Sequence, residues 1–221
     1  MGLSIAKFTF NPFQENTVIV HDGSSCVIID PGCYERSEQE EMTSYISSNN
    51  LTPKAVLLTH AHLDHIFGCD FILKQYNVDC YMHEKDLFTF EMAQRSADTY
   101  GIPGFIQPPA PNKLLKGGET LQFGEIEFKV LFTPGHSVGH VVYYNAENSF
   151  VINGDVLFAG SFGRVDLPGG DMAVLKDSIF NTMFALPEET VVYCGHGAET
   201  TIGAEKRSNY ILQYYVLCAS R

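Results

Sequence analysis

Thr59-His60-Ala61-His62-Leu63-Asp64-His65 places three imidazoles and a carboxylate within six residues. The apolar run Ala55-Val56-Leu57-Leu58 leads straight into it. That pattern implies a short buried strand ending in a loop, with ligands delivered at its tip. Neutral nitrogen donors beside an anionic oxygen suit Zn²⁺, or another borderline metal such as Fe or Mn. The competing reading is a polar loop that holds histidines by accident.

Four further strand ends carry the same kind of residue. Asp30 closes one. His136 sits in Thr-Pro-Gly-His, Asp155 in Asn-Gly-Asp and His196 in Gly-His-Gly. Glycine precedes each of the last three, and glycine permits the close backbone approach that a crowded metal site needs. Alone, each reads as a turn or cap residue. Together with the 60–65 cluster they read as one site, because all occupy the same position relative to a strand. Five of the eight histidines fall in this set. His140, four residues after His136, reads as a support for a ligand. His21 and His83 read as surface or capping residues.

Working outward, strands are expected over 3–10, 16–21, 26–30, the run up to 60, and 79–82. Helical patterns cover 35–48, 66–76 and 84–95. In the second half, strands are expected over 119–123, 125–132, 140–144, 150–153 and 191–194. Helices are expected over 171–184, with Asp171 as N-cap, and over 204–217. Residues 102–113, rich in proline and glycine at the start, read as a long surface loop serving as a lid or substrate wall. The halves 1–115 and 116–221 look like two related strand-then-helix layers facing each other. We expect one α/β domain over 1–221, with mixed or largely antiparallel sheets and helices outside.

The 221 residues carry a formal net charge of −12. A nucleic-acid surface would have to be local against that adverse field, and the partner expected is a small-molecule substrate. No apolar run approaches the ~20 residues a membrane span needs, and no secretory leader pattern is present. The six cysteines are scattered without a C-x-x-C pair; free thiols and a cytoplasmic location are expected.

Thr-His-Ala-His-Leu-Asp-His at 59–65, Thr-Pro-Gly-His-Ser-Val-Gly-His at 133–140, Asn-Gly-Asp-Val-Leu-Phe at 153–158, Gly-Arg-Val-Asp at 163–166 and Cys-Gly-His-Gly at 194–197 run in one order along the chain. In these motifs the sequence resembles the metallo-β-lactamase superfamily, and within it the glyoxalase II (hydroxyacylglutathione hydrolase)-like branch. The resemblance implies a four-layer αββα sandwich and a binuclear metallohydrolase acting on a small thioester or ester such as S-lactoylglutathione. It implies two Zn²⁺ per chain, with Fe or Mn as alternatives at either site. His60, His62 and His136 would hold the first metal, Asp64, His65 and His196 the second, and Asp155 would bridge them. Asp64 would also orient the metal-bound hydroxide or accept its proton. Asp30 would support a ligand histidine.

The sequence departs from the glutathione-specific enzymes in three places. Their added C-terminal helical segment is not expected here, since about 25 residues follow His196. Their Lys and Tyr after the bridging aspartate are replaced by Arg164 and Asp166. Their Gly-His-Glu-Tyr-Thr reads Gly-His-Gly-Ala-Glu-Thr at 195–200. The chain is most similar to the shorter members. Arg164 could clamp a substrate carboxylate or simply pair with Asp166. A mononuclear iron dioxygenase acting on a persulfide, built on the same scaffold with the positions of His60, His136 and Asp155, is the alternative reading.

Overall fold

The computed structural model describes residues 2–214. β1 (Ser4–Phe10), β2 (Glu15–His21), β3 (Ser25–Ile29), β4 (Thr52–Leu57), β5 (Asp79–His83) and β6 (Lys113–Leu115) form one sheet in chain order. The β1–β2–β3 pairs are antiparallel and the β3–β4–β5–β6 pairs parallel. Parallel neighbours need crossovers, and α1 (Arg36–Ser48) and α3 (Cys69–Tyr76) supply two of them. The second sheet holds β7 (Thr120–Phe123), β8 (Ile126–Phe132), β9 (Val141–Asn145), β10 (Phe150–Gly154), β13 (Val191–Cys194) and β14 (Thr200–Thr201), in the order β14-β13-β10-β9-β8-β7. Only β10 and β13 pair in parallel there. Both sheets are therefore mixed, and each half of the chain builds one of them.

Period-two alternation sorts the strand residues into three cores. In β3, Cys26 and Ile28 face an outer core with Met42 and Ile46 of α1 and Ile72 of α3. Val27 and Ile29 face the opposite way, into a central core with Phe128, Tyr143 and Ile152 of the second sheet. In β10, Phe150 and Ile152 point to that central core. Val151 points outward to Leu175 of α6 (Met172–Asp177) and to Ile179 and Met183 just beyond it. The result is the expected helix–sheet–sheet–helix stack.

Several elements differ from the sequence reading. The helix expected over 66–76 is two pieces, α2 (Leu63–Ile66) and α3, separated at Gly68. The Gly68 N–H donates to Pro31 O (2.8 Å) instead of continuing the helix. The helix expected over 84–95 is a tight turn, then α4 (Leu87–Glu91) and α5 (Ala93–Tyr100). Asp171 caps α6 by accepting from the Ala173 and Val174 N–H groups, as expected. α7 (Ile202–Ser208) stops at Asn209, whose side chain accepts from Ile211 N (2.8 Å); the end of the helix expected over 204–217 lies outside the described residues. β6, β14, β11 (Leu157–Phe158) and β12 (Ser161–Phe162) are too short to show a period in sequence. Among the described residues no helix is long and apolar enough to cross a membrane, and the five described cysteines are free and buried.

Candidate metal centre

The donors gather beyond the C-terminal ends of β3, β4, β8, β10 and β13, the edge where open α/β sheets bind ligands. His60, His62 and His136 bring their donor atoms within 4.8 Å of one another, and so do Asp64, His65 and His196. Asp155 lies between the groups. Its Oδ2 is 3.6 Å from His136 Nε2 and 3.4 Å from His196 Nε2, while its Oδ1 is 3.5 Å from His65 Nε2. Gly195 permits this approach: a Cβ there would collide with Asp155 Oδ1 and the His65 ring. Gly135, at φ +127°, plays the same part before His136, where a Cβ would run into the Leu175 backbone.

Hydrogen bonds fix which nitrogen four of the five donor histidines present. His136 Nδ1 donates to the Arg164 carbonyl (2.7 Å), so Nε2 faces the site. His196 Nδ1 donates to the Phe13 and Gln14 carbonyls (3.2 Å each). His65 Nδ1 donates to Asp30 Oδ2 (3.1 Å). The Thr59 hydroxyl also donates to Asp30 Oδ2 (2.6 Å), so Thr59 Oγ1 accepts from His60 Nδ1 (3.0 Å). Asp30 thus sets the tautomer of one histidine in each group, directly for His65 and through Thr59 for His60. His140 adjoins the donors. Its Nε2 accepts from the Asp155 backbone N–H (3.1 Å), and its ring stacks on His60 at 4.7 Å.

The two groups carry different charge. Burial holds His60, His62 and His136 below the usual imidazole range, His62 down to about 3 with His136 beside it pushing the same way. Burial also opposes charge on His65 and His196, but there Asp64 and Asp155 prevail. They hold His65 well above its usual value and raise His196 to about 9. Conversely, burial would raise Asp64 and Asp155, and the imidazolium of His65 carries both below the usual carboxylate range.

The donor set fits a cation by its own geometry. His60 Nε2, His65 Nε2 and Asp155 Oδ1 are buried without a hydrogen-bond partner, a costly arrangement unless something else satisfies them. His62 Nδ1 and His136 Nε2 converge to 2.8 Å. Imidazole and carboxylate donors together match borderline divalent metals.

Residues 10–196 match the description "Metallo-beta-lactamase superfamily". The chain belongs to that superfamily. Hydroxyacylglutathione hydrolase GloC of Haemophilus influenzae is 37% identical over 215 residues, covering 96% of this chain and 98% of that protein. Among solved structures, the B3 metallo-beta-lactamase BLEG-1 superposes with a TM-score of 0.86 at 38% identity, covering 95% of this chain and 99% of that one. TTHA1623 in a di-iron-bound form gives 0.84 at 40%, covering 93% and 99%. The chain is accordingly a metallohydrolase-superfamily member with the αββα fold, and its histidine-rich donor groups imply a divalent metal.

Three residues of this candidate site escaped the sequence reading. Asp86 is fully buried. One of its oxygens accepts from Ala61 N (2.6 Å); the other accepts from the Ser137 hydroxyl, Gly139 N (3.0 Å) and Thr89 Oγ1 (3.2 Å). It ties the loop of His60 and His62 to the loop of His136. Asp86 also follows a strand, β5, which is the one signal that could have marked it. Glu15, buried at the start of β2, lies 3.9 Å from His65 Nδ1, and burial pushes its carboxyl well up. Thr59 was quoted in the motif without its role. His21 and His83 are buried rather than on the surface: His21 bonds to the Tyr45 hydroxyl (3.0 Å), while His83 stacks on Phe132 and caps the turn at Lys85.

Above the donors lies a cavity of about 490 Å³. Its walls come from Phe13, from Phe88, Met92 and Tyr100 of the α4–α5 segment, and from Phe158, Phe162 and Arg164. The 102–113 loop, expected as lid or wall, does not line it. Ile102 and Phe105 pack instead against the outer core, and Pro103 accepts from the Tyr34 hydroxyl. Arg164 does reach the cavity, but its guanidinium is held by Asp166 through two bonds of 2.6 and 2.7 Å.

Proposed function

We propose that this chain is a metal-dependent hydrolase that transfers the acyl group of a small thioester or ester to water, with two cations per chain. Zn²⁺ is the first choice and Fe or Mn the alternatives. The observation that supports this reading is Asp155, placed between two donor groups at the floor of a substrate-sized cavity. When bound, the cations would supply a nucleophile at neutral pH and a Lewis acid for the carbonyl oxygen. His60, His62 and His136 would hold one, Asp64, His65 and His196 the other, and Asp155 would offset the repulsion between them.

The chain's own residues account for the rest. Asp64, half-buried and lining the cavity, has its Oδ2 3.2 Å from His196 Nε2. We assign it to orient the attacking water and take its proton. The aromatic walls limit bulk water around the reacting carbonyl. An O–C bond forms at the carbonyl carbon and the C–S or C–O bond breaks. The thiol or alcohol leaves with a proton, and the acyl part leaves as a carboxylate.

The name of the Haemophilus influenzae relative puts a 2-hydroxyacyl glutathione thioester, S-lactoylglutathione, first among substrates to assay. Purified protein with Zn²⁺ restored should release thiol from acyl thioesters, and elemental analysis should find two metals per chain. No turnover on any acyl thioester would sink the reading. One Fe per chain with oxygen uptake on a persulfide would replace it with the dioxygenase.

A further inference from the structure

The cavity walls above the donors are apolar on two sides, with Phe88, Met92 and Tyr100 on one and Phe158 and Phe162 on the other. Phe88 and Tyr100 remain 53% and 50% exposed. Large apolar side chains left open around a concavity mark a binding surface. Among the lining residues Arg164 is the only lysine or arginine, and both of its bonds go to Asp166; the His196 ring is already held by Asp64 and Asp155. A ligand with several carboxylates would find no uncommitted positive side chain there, and it would approach against a formal net charge of −12. An uncharged ring or branched chain would instead bury apolar area against five large side chains.

We propose that the cavity selects thioesters whose thiol part is apolar and uncharged, an aromatic or branched aliphatic thiol, over those whose thiol part is a polycarboxylate such as glutathione. This deepens the hydrolase reading and rests on it. In the reaction, water's oxygen bonds to the carbonyl carbon, the C–S bond breaks, and the apolar thiol departs carrying a proton. No redox change is involved.

The test uses a matched pair with the same acyl group: the S-benzyl thioester of lactate and S-lactoylglutathione, assayed for thiol release by the Zn²⁺-restored chain. Burying one benzyl group should raise kcat/KM for the first by roughly 10- to 100-fold over the second. Phe88→Ala and Tyr100→Ala should shrink that ratio through KM. A binding readout on the metal-free protein accompanies it, with saturation-transfer NMR of benzyl methyl sulfide and of S-methylglutathione. Contacts to the first, weakened by Phe88→Ala, are expected. Equal or better turnover of S-lactoylglutathione, or a ratio untouched by the wall variants, overturns the selectivity and leaves the hydrolase reading standing. Absence of thiol release from both, with benzyl methyl sulfide still bound, removes the hydrolase reading and this inference with it, while keeping the apolar cavity.

Discussion

His60, His62 and His136 form a neutral trio, and across Asp155 from them Asp64, His65 and His196 form a charged one. The two are built from similar residues at the same end of both sheets. They differ because other imidazoles crowd His60 and His62 and add to the effect of burial, and at His136 burial outweighs Asp155, whereas the second holds its own carboxylate, Asp64, beside Asp155. The carboxylates that would attract a second cation attract protons first. The first group therefore offers free lone pairs at neutral pH, and the second has to release protons before it binds.

The largest effects should come from removing donors, and they should separate the two groups. Asp155→Ala strikes both and His60→Ala the first. Each should lower turnover by on the order of 10³-fold, since several kcal/mol of charge stabilisation is lost and each decade costs about 1.36 kcal/mol. Near-UV circular dichroism should stay native. His196→Ala should leave one tightly bound metal by elemental analysis. Full activity in the Asp155 or His60 variant would show that the ligand assignment is wrong.

Next come the braces. Asp86 ties together only the loops of the first group, so Asp86→Ala should weaken the first cation's binding by roughly 10- to 100-fold and spare the second. It also leaves two buried N–H groups unpaired, at about 1–3 kcal/mol each, visible in thermal melts. Asp86→Asn keeps one accepting oxygen and should recover part of the loss. Asp30→Asn should weaken both cations, because Asp30 orients His65 directly and His60 through Thr59. If metal titration shows Asp86→Ala weakening both groups equally, the division of labour between the braces fails.

The pH dependence tests the charge difference itself. His196 sits near 9 in the metal-free fold against an ordinary 6.5. Its proton therefore stabilises the metal-free protein below pH 6.5, and that contribution fades as pH rises through about 9. Metal competes for the same nitrogen. Affinity at the second group should then climb at least about tenfold per pH unit across that window, since His65 also has a proton to release, while the first group, with His62 near 3, stays flat. Calorimetric titration of the metal-free protein at pH 6.5, 7.5 and 8.5 separates the two. Parallel slopes would erase the distinction.

How much of this was open to the sequence follows from the range of each signal. Strand periodicity is local, so β3, β4 and β10 and the residues at their ends could be read, and with them the donors that the fold gathers. The braces could not. Asp86 is set by accepting from Ala61, Ser137 and Gly139, positions up to 53 residues away, and its place after β5 marks a strand end without naming those partners. Thr59 and Glu15 act through partners that only folding supplies. The 102–113 loop was misjudged for a related reason. Length and proline content mark a loop, but whether it faces the cavity depends on where Ile102 and Phe105 bury, and they bury in the outer core. The cavity wall came instead from α4 and α5, whose aromatic residues look like ordinary core positions in sequence.

The smallest effect is expected at Arg164, and it sharpens the comparison from outside. Arg164 touches the first group through its backbone alone, as the carbonyl that takes the His136 Nδ1 proton. Its side chain is exposed and engaged with Asp166. Arg164→Ala keeps the carbonyl, so His136 should keep its tautomer and the first group its affinity. The loss of an exposed ion pair should change stability by no more than about 1 kcal/mol. KM for an uncharged thioester should stay within about twofold, because the guanidinium that reaches the cavity is already committed to Asp166. A large rise in KM confined to carboxylate-bearing substrates would mean that the guanidinium leaves Asp166 when such a substrate arrives. The positive charge that such a substrate meets would then come from the cavity rim and not from the donor groups.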